Sequence, residues 1–249
     1  MTCLIGGIIS VHSFITSVNS PLKSLNLSMN WIRSTYTILM KDLRIELRTR
    51  FAFNMVLAFV AAAMLLVLFT LRADQLEPGP KSGLVWIIIL FAALSALSRS
   101  FISETDKKTF DLLRIYANGT NVYSGKLIYN YLFTLIINIT TFAGYIFLMN
   151  LSIQSWTAFL IMLLVGTAGL SGVATMTAAV VSQADRKGAI FSVLSIPLFM
   201  PLVLLLADIS KTAFVDGGAA SLNNITALAG FAGVTITSGI LLFDYIWEE

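Results

Sequence analysis

Residues 119–126 carry the residue types of a loop that binds nucleotide phosphates, and they read GTNVYSGK. That loop has two glycines separated by four residues, followed by Lys and by Ser or Thr, between a strand and a helix. Here five residues separate Gly119 from Gly125, and Leu127 follows Lys126 where the magnesium-binding hydroxyl would stand. The spacing argues against ATP binding. We predict instead a turn that leads into a membrane span, with Lys126 as a positive anchor at the cytoplasmic interface.

Other side chains that could do chemistry are few. The only cysteine is Cys3 and the only histidine is His12, so no intramolecular disulfide or cysteine-cluster metal site is possible. Asp208 and Asp244 fall near the ends of apolar segments, which gives little support to a relay of buried carboxylates. We therefore predict no catalytic residue, no metal site and no directly bound cofactor, and we do not expect the chain itself to be an enzyme.

The composition is that of an integral membrane protein. Apolar residues make up 57% of the 249 residues and charged residues 12%, whereas soluble domains have about 45–50% and about 25%. So few charges cannot cover the surface of a globule of this size, but a bilayer accepts an apolar surface. The apolar runs are continuous rather than alternating, which predicts helices and not a barrel. The net charge of +3 is too small to suggest nucleic acid.

Six segments are long and apolar enough to cross a bilayer, which takes about 20 helical residues. They are predicted at roughly 51–71, 83–102, 127–149, 157–181, 189–207 and 225–246. With a helix at 32–50 they form one all-α membrane domain over 29–249. We expect residues 1–28 to be a disordered extension or the result of a start codon chosen too early, with Met29 as the real beginning; a functional peripheral segment is the alternative.

The positive charges lie mostly in one set of loops. Twelve Lys and Arg residues are on one side, namely Arg33, Lys41, Arg44, Arg48, Arg50, Arg99, Lys107, Lys108, Arg114, Lys126, Arg186 and Lys187. The opposite side has only Arg72, Lys81 and Lys211. Because loops rich in Lys and Arg stay in the cytoplasm, this asymmetry predicts a multi-pass protein with both termini cytoplasmic.

The helix predicted at 32–50 is amphipathic. Its apolar stripe is formed by Tyr36, Leu39, Met40, Leu43 and Leu47, and the basic residues on its flanks are Lys41, Arg44 and Arg48. This pattern is typical of a helix that lies in the membrane interface with its basic residues towards anionic headgroups. Glu46 and Arg50 are spaced for a helical ion pair. The alternative is an ordinary solvated helix before a span.

The longest predicted cytoplasmic loop is 99–126. Ser103 to Asp106 provide hydroxyl and carboxylate caps for a helix, and Asn118-Gly119 would end it. A short amphipathic helix in this loop could dock into a groove on a cytoplasmic partner. The alternative is a folded loop that covers the ends of the spans.

Two of the spans contain unusual residues. Gly166, Gly169 and Gly172 in the fourth span predict close helix packing, because small residues allow backbones to approach in lipid. Pro197 and Pro201 lie one turn apart in the fifth span, and each removes a backbone donor. We predict a broken helix there, which is either a hinge or a static kink.

The order of these elements resembles the permease subunit of an ABC-2 type exporter. Residues 163–207 also resemble one family, the B subunit of the cytochrome c maturation system, known as haem exporter protein B. The positions that carry this resemblance are Gly166, Thr167, Arg186, Gly188, Leu194, Pro197, Pro201 and Leu202. The segment 41–50, KDLRIELRTR, is similar to the start of that family, and the whole resemblance covers roughly 33–246.

The resemblance implies a permease in the bacterial inner membrane, driven by a separate ATPase subunit and working with a haem-handling C subunit and a periplasmic haem chaperone. ATP hydrolysis would drive either haem export or release of the haem-loaded chaperone. The ATPase would contact the loop through Glu104, Asp106, Lys107, Lys108, Phe110, Asp111, Leu113 and Arg114. Two other functions stay open: an ABC-2 permease for a lipid, polysaccharide or drug, and a membrane scaffold or secondary transporter that uses no ATPase.

Haem is expected as cargo and not as a bound cofactor. Protein ligands to haem iron are His, Met, Cys or Tyr. Both Cys3 and His12 lie outside the region of resemblance. We therefore predict that partner subunits, and not this chain, ligate the haem iron.

Overall fold

The computed structural model describes residues 31–70, 76–97, 101, 104, 118–182 and 187–248, and these residues form an all-α bundle without strands. Helix α1 covers 31–49. The six helices that follow are α2 (Phe51–Thr70), α3 (Pro78–Leu97), α4 (Gly119–Met149), α5 (Trp156–Val181), α6 (Lys187–Lys211) and α7 (Leu222–Glu248). Each of the six contains a stretch long and apolar enough to cross a membrane, which confirms the predicted class and number of spans.

A single residue, Arg50, separates α1 from α2. Arg50 has a left-handed backbone (φ 49°), which ends α1. The carboxylate of Glu46 then accepts a hydrogen bond from the backbone N–H of Phe53 at 2.9 Å, within the first turn of α2. Such a carboxylate satisfies one of the free N–H groups at a helix start. The predicted pair of Glu46 with Arg50 is therefore wrong, because the carboxylate caps the next helix instead.

Helix α5 lies at the centre of the bundle and is the most enclosed of the six. Its glycines lie where other helices come close. A methyl group added at Gly169 would come within 2.8 Å of Leu202 of α6, and one added at Gly172 would come equally close to Thr235 of α7. At Gly166 the side chain of Leu206 fills the corresponding space. Dispersion contacts at such short backbone separations hold helices together where lipid provides no hydrophobic driving force.

Helix α6 runs through both of its prolines as one α-helix, so the predicted break is not observed. Pro197 and Pro201 lie on its exposed side, whereas Phe199 and Leu202 are fully buried. The irregular turn comes later, as a π-helical turn at Thr212–Asp216. A hinge at the prolines stays a prediction.

Candidate functional site at the basic end of the bundle

Helix α4 begins at Gly119 and not near 127, so GTNVYSGK forms its first two turns. The prediction of a turn at these residues is wrong. The extension lies at the end of the bundle that carries α1, the last turns of α7 and most of those Lys and Arg residues that the structure describes. We call this the basic end. Nearly every side chain of this extension is buried against another element.

The two glycines of the extension are positions of close packing. A methyl group added at Gly119 would lie 2.8 Å from the side chain of Trp247 in α7. At Gly125 it would lie 2.9 Å from Ile38 of α1, whose side chain is 5% exposed. Between them, the hydroxyl of Thr120 donates to the carboxylate of Asp244 at 2.8 Å. The glycines therefore let α1 and α7 approach α4, which is a packing role and not phosphate binding.

Four charged side chains meet where α1, α4 and the loop 99–126 come together; we call them the ion cluster. They are Lys41 and Asp42 of α1, Glu104 of the loop and Lys126 of α4. The ammonium of Lys126 lies 3.2 Å from Asp42 and 3.4 Å from Glu104. The ammonium of Lys41 lies 3.3 Å from Asp42 and also donates to Glu104. Counted over the described part of the chain, two positive and two negative charges make the cluster neutral.

Most of the ion cluster is buried, and only the side chain of Lys41, which is 34% exposed, reaches solvent to a large extent. Lys126 is 1% exposed and Glu104 is 8% exposed. Burial lowers the pKa of Lys41, but the adjacent carboxylates of Asp42 and Glu104 outweigh burial and hold this pKa above its ordinary value of 10.5. Lys41 was predicted to face lipid headgroups and Lys126 to be a positive anchor at the cytoplasmic interface, but the structure places both ammonium groups on carboxylates. Only Arg44 and Arg48 of α1 are exposed as predicted for headgroup contact.

An aromatic cluster adjoins the ion cluster and consists of Phe101, Tyr123, Phe243 and Trp247. The ring of Phe101 lies 6.2 Å from that of Tyr123 and 5.0 Å from that of Phe243, and Phe243 lies 5.3 Å from Trp247. The ammonium of Lys126 lies 5.2 Å from the centre of the Phe101 ring, which is the geometry of a cation–π contact. Lys126 thus connects the two clusters.

Phe101 and Glu104 are the residues near the start of the predicted loop 99–126 that the structure describes. Through them the base of the loop contacts α1, α4 and α7 together. The remaining predicted contact residues, Asp106, Lys107, Lys108, Phe110, Asp111, Leu113 and Arg114, lie outside the described residues, as do Cys3, His12 and the extension 1–28.

Sequence reasoning missed Asp42 and the aromatic residues. The interpretation of α1 rested on the face that carries the apolar stripe from Tyr36 to Leu47, and both of these residues are exposed in the structure. The face that packs on α4 carries Thr35, Ile38 and Asp42, which also follow helical spacing. That second stripe was visible in the sequence, but its partners on α4 and α7 were not.

The profile of the family described as CcmB protein matches residues 33–243, which is most of the chain. The chain belongs to the CcmB family. Heme exporter protein B of Rhodobacter capsulatus is 27% identical over 207 residues, covering 82% of this chain and 93% of the relative. Heme exporter protein B of Paracoccus denitrificans is 28% identical over 209 residues, covering 81% and 91%. Heme exporter protein B of Haemophilus influenzae is 24% identical over 155 residues, covering 59% and 70%.

The CcmB match includes all but the first two residues of α1, the ion cluster, and the six membrane helices up to residue 243 of α7. The family is one of transporter permeases, and this chain is a multi-pass membrane protein. The extension 1–28, with Cys3 and His12, lies before the matched region.

Proposed function

We propose that this chain is the membrane permease of a haem exporter in the bacterial inner membrane, with both termini in the cytoplasm, and that it serves cytochrome c biogenesis. A separate ATPase subunit drives it, and a haem-handling membrane subunit and a periplasmic haem chaperone are its other partners. The relatives named heme exporter protein B support the haem assignment. The positive charges near α1 and the start of α4 support a cytoplasmic position for the basic end.

The observation that carries the coupling proposal is the connection of the loop base to three membrane elements. Glu104 is bonded to α1 and α4 through the ion cluster, and Phe101 packs on α4 and α7 through the aromatic cluster. A force that the ATPase applies to the loop therefore reaches α1, α4 and α7 together. Packed interfaces of this kind switch between discrete arrangements rather than deforming gradually.

The haem assignment is tested by deleting the gene in its host and staining cell extracts for covalently bound c-type haem. We expect the stain to disappear and to return when the full chain is supplied on a plasmid. Normal c-type cytochromes in the deletion strain would contradict the assignment and favour an exporter of a lipid, polysaccharide or drug. If the purified chain never brings down an ATPase subunit, the scaffold or secondary-transporter alternative is favoured instead.

The coupling proposal is tested by comparing two sites in the loop. Asp111→Ala with Arg114→Ala changes the proposed ATPase contact, and we expect less ATPase subunit to co-purify. Glu104 was among the predicted ATPase contacts, but its carboxylate is buried in the ion cluster, so we now propose a role at the loop base instead. For Glu104→Gln we expect the ATPase to co-purify normally while haem delivery falls and ATP hydrolysis continues. If both variants lost the same amount of co-purified ATPase, separate roles for Glu104 and for the Asp111 and Arg114 pair would be contradicted.

The handling of haem gives a further prediction. Because Cys3 and His12 lie outside the matched region and partner subunits are expected to ligate the iron, Cys3→Ser with His12→Ala should leave c-type haem staining at the wild-type level. The staining assay above measures this directly, with equal protein abundance checked by immunoblot. Lost haem delivery at normal abundance would show that the extension takes part.

A further inference from the structure

Five polar side chains of α4 face the interior of the bundle along most of the membrane thickness. They are Asn130, Thr134, Asn138, Thr141 and Tyr145, each no more than 2% exposed. At about 100° per residue they fall within an arc of about 80°, and at about 1.5 Å per residue they extend over about 22 Å. The hydrocarbon core is about 30 Å thick, so this row crosses most of it.

Helix α5 presents a matching row to α4. Thr167, Ser171 and Thr175 are buried and spaced four residues apart. The amide of Asn130 donates to the hydroxyl of Thr175, and the amide of Asn138 donates to that of Thr167, both at 2.9 Å. These two bonds set the register of the antiparallel pair, which places Thr134 at the level of Ser171.

The hydroxyl protons of the α5 row are already used. Thr167, Ser171 and Thr175 each donate to a carbonyl of α5 itself. They can accept a hydrogen bond from α4 but have no proton left to give. We call the facing rows, without Tyr145, the polar seam: Asn130, Thr134, Asn138, Thr141, Thr167, Ser171 and Thr175.

Three oxygen atoms of the polar seam have no hydrogen-bond partner among the described residues. They are the side-chain carbonyl of Asn138 and the hydroxyls of Thr134 and Thr141. Turning the amide of Asn138 over would not help, because its oxygen would then face the hydroxyl of Thr167, whose proton is already donated to Leu163. A buried polar group without a partner costs roughly 1–3 kcal/mol in proteins and more in hydrocarbon.

We infer that the polar seam is a binding site for water molecules within the membrane. Water fits the requirement because it donates to the carbonyl of Asn138 and both accepts from and donates to the hydroxyls of Thr134 and Thr141. A buried water needs two to four polar partners, and the seam supplies acceptors and hydroxyls at each turn. The bound water lets α4 and α5 shift relative to one another while their polar groups exchange partners. This inference does not depend on the ATPase or on the cargo.

The first test measures whether removing a hydroxyl from the polar seam lowers or raises the Tm. Thr134→Val and Thr141→Val remove a hydroxyl while keeping the shape, in the full chain purified in detergent. If the hydroxyls bind water, we expect the Tm to fall by about 2–4 °C, as for a loss of about 1 kcal/mol in a protein of this size. The matched control is Thr140→Val on the same helix, whose hydroxyl donates to Ile136 and lies on the outer side. A Tm that is raised, or unchanged relative to Thr140→Val, overturns the inference, because deleting an unpaired buried hydroxyl is neutral or stabilising.

The second test detects the water itself. In protein reconstituted in liposomes with ¹⁵N-labelled asparagine, solid-state NMR measures magnetisation transfer from water to the side-chain amide of Asn138. The signal is assigned by its loss in Asn138→Leu, and exposed Asn150 serves as the positive control. We expect transfer to Asn138 that weakens at least twofold in Thr134→Val. No transfer to Asn138 while Asn150 shows it would mean a dry seam and overturn the inference.

Discussion

Lys126 of α4 is a buried charged side chain that contacts both α1 and the loop base. It is 1% exposed, and its ammonium contacts Asp42, Glu104 and the ring of Phe101. Isolated buried charges are very costly, but a neutral group of four satisfies each member. This side chain therefore decides where α1 and the loop base sit on α4, which a headgroup anchor would not do.

Replacing Lys126 by Met leaves two carboxylates facing one ammonium in a buried site. We expect a loss of about 3–5 kcal/mol, the range for breaking a buried ion pair, seen as a lower Tm in detergent. Lys211→Met, at an exposed position in the last turn of α6, is the control and should leave the Tm nearly unchanged.

The double variant Lys126→Met with Glu104→Gln restores charge balance, so its loss should be smaller than the sum of the two single losses. Additive losses of stability would contradict the ion cluster.

The raised pKa of Lys41 predicts how stability depends on pH. Lys41 makes its full contribution to stability below pH 10.5, its ordinary pKa, and that contribution is lost only as the pH rises above this value. Measurements near pH 7.5 therefore keep Lys41 charged throughout.

The helices of the bundle depend on a small number of positions where no side chain fits. Gly239 of α7 is one of them, because a methyl group there would overlap the hydroxyl of Tyr123, whose ring is fully buried. Gly230 of the same helix has nothing within 4 Å of an added methyl group. Two glycines of one helix thus have opposite environments.

We expect Gly239→Ala to lower the Tm and to separate the end of α7 from α4. Gly230→Ala is the matched control and should be neutral or stabilising, since alanine favours helix by about 1 kcal/mol over glycine. Thermal unfolding of the two variants side by side measures the difference. Equal Tm values would show that Tyr123 moves aside without cost.

The two prolines of α6 give a prediction about movement rather than folding. Pro197 and Pro201 lie on the exposed side of a continuous helix, so replacing both by Leu should not disturb the core. If they provide a hinge, the double variant inserts normally but loses turnover, measured as c-type haem staining at equal membrane abundance. Unchanged activity would contradict the hinge and leave the two prolines with a purely structural role.

At the level of the whole chain, the basic end forms one connected assembly of α1, the loop base, the start of α4 and the end of α7. The opposite end is held separately. There the hydroxyl of Tyr145 donates to the backbone carbonyl of Lys81, and the ring of Phe142 packs on those of Trp86, Phe159 and Phe214. The polar seam lies between the two ends, where three of its side-chain oxygen atoms have no protein partner among the described residues.

The orientation of the bundle is open to a direct measurement. In a Cys3→Ser background, Ser152→Cys lies in the loop at the end opposite to α1, and Thr49→Cys lies at the end of α1; both positions are exposed. With the basic end in the cytoplasm, a membrane-impermeant maleimide should label Ser152→Cys in intact spheroplasts and Thr49→Cys only after permeabilisation. The reverse pattern would contradict the coupling proposal.

Composition and local pattern were enough to establish several features without a structure. Six spans, a preceding amphipathic helix and the unequal distribution of Lys and Arg follow from the chain alone, because hydrophobic length and charge placement are properties of short segments. The wrong spacing in GTNVYSGK was likewise readable directly from the residues. The family resemblance over 163–207 was also carried by a single continuous stretch, and the CcmB match confirms it.

The partners of Lys126, Glu104, Phe101 and Asn138 could not be obtained in this way. Each contacts residues far away in the chain; Lys126 reaches Asp42 across 84 positions and Asn138 reaches Thr167 across 29. Apolar spans carry little information about which faces meet, because lipid and protein interior are nearly equivalent environments for a leucine. Which glycines pack, where α4 begins and which polar groups face inward therefore became known only from the folded arrangement of the helices.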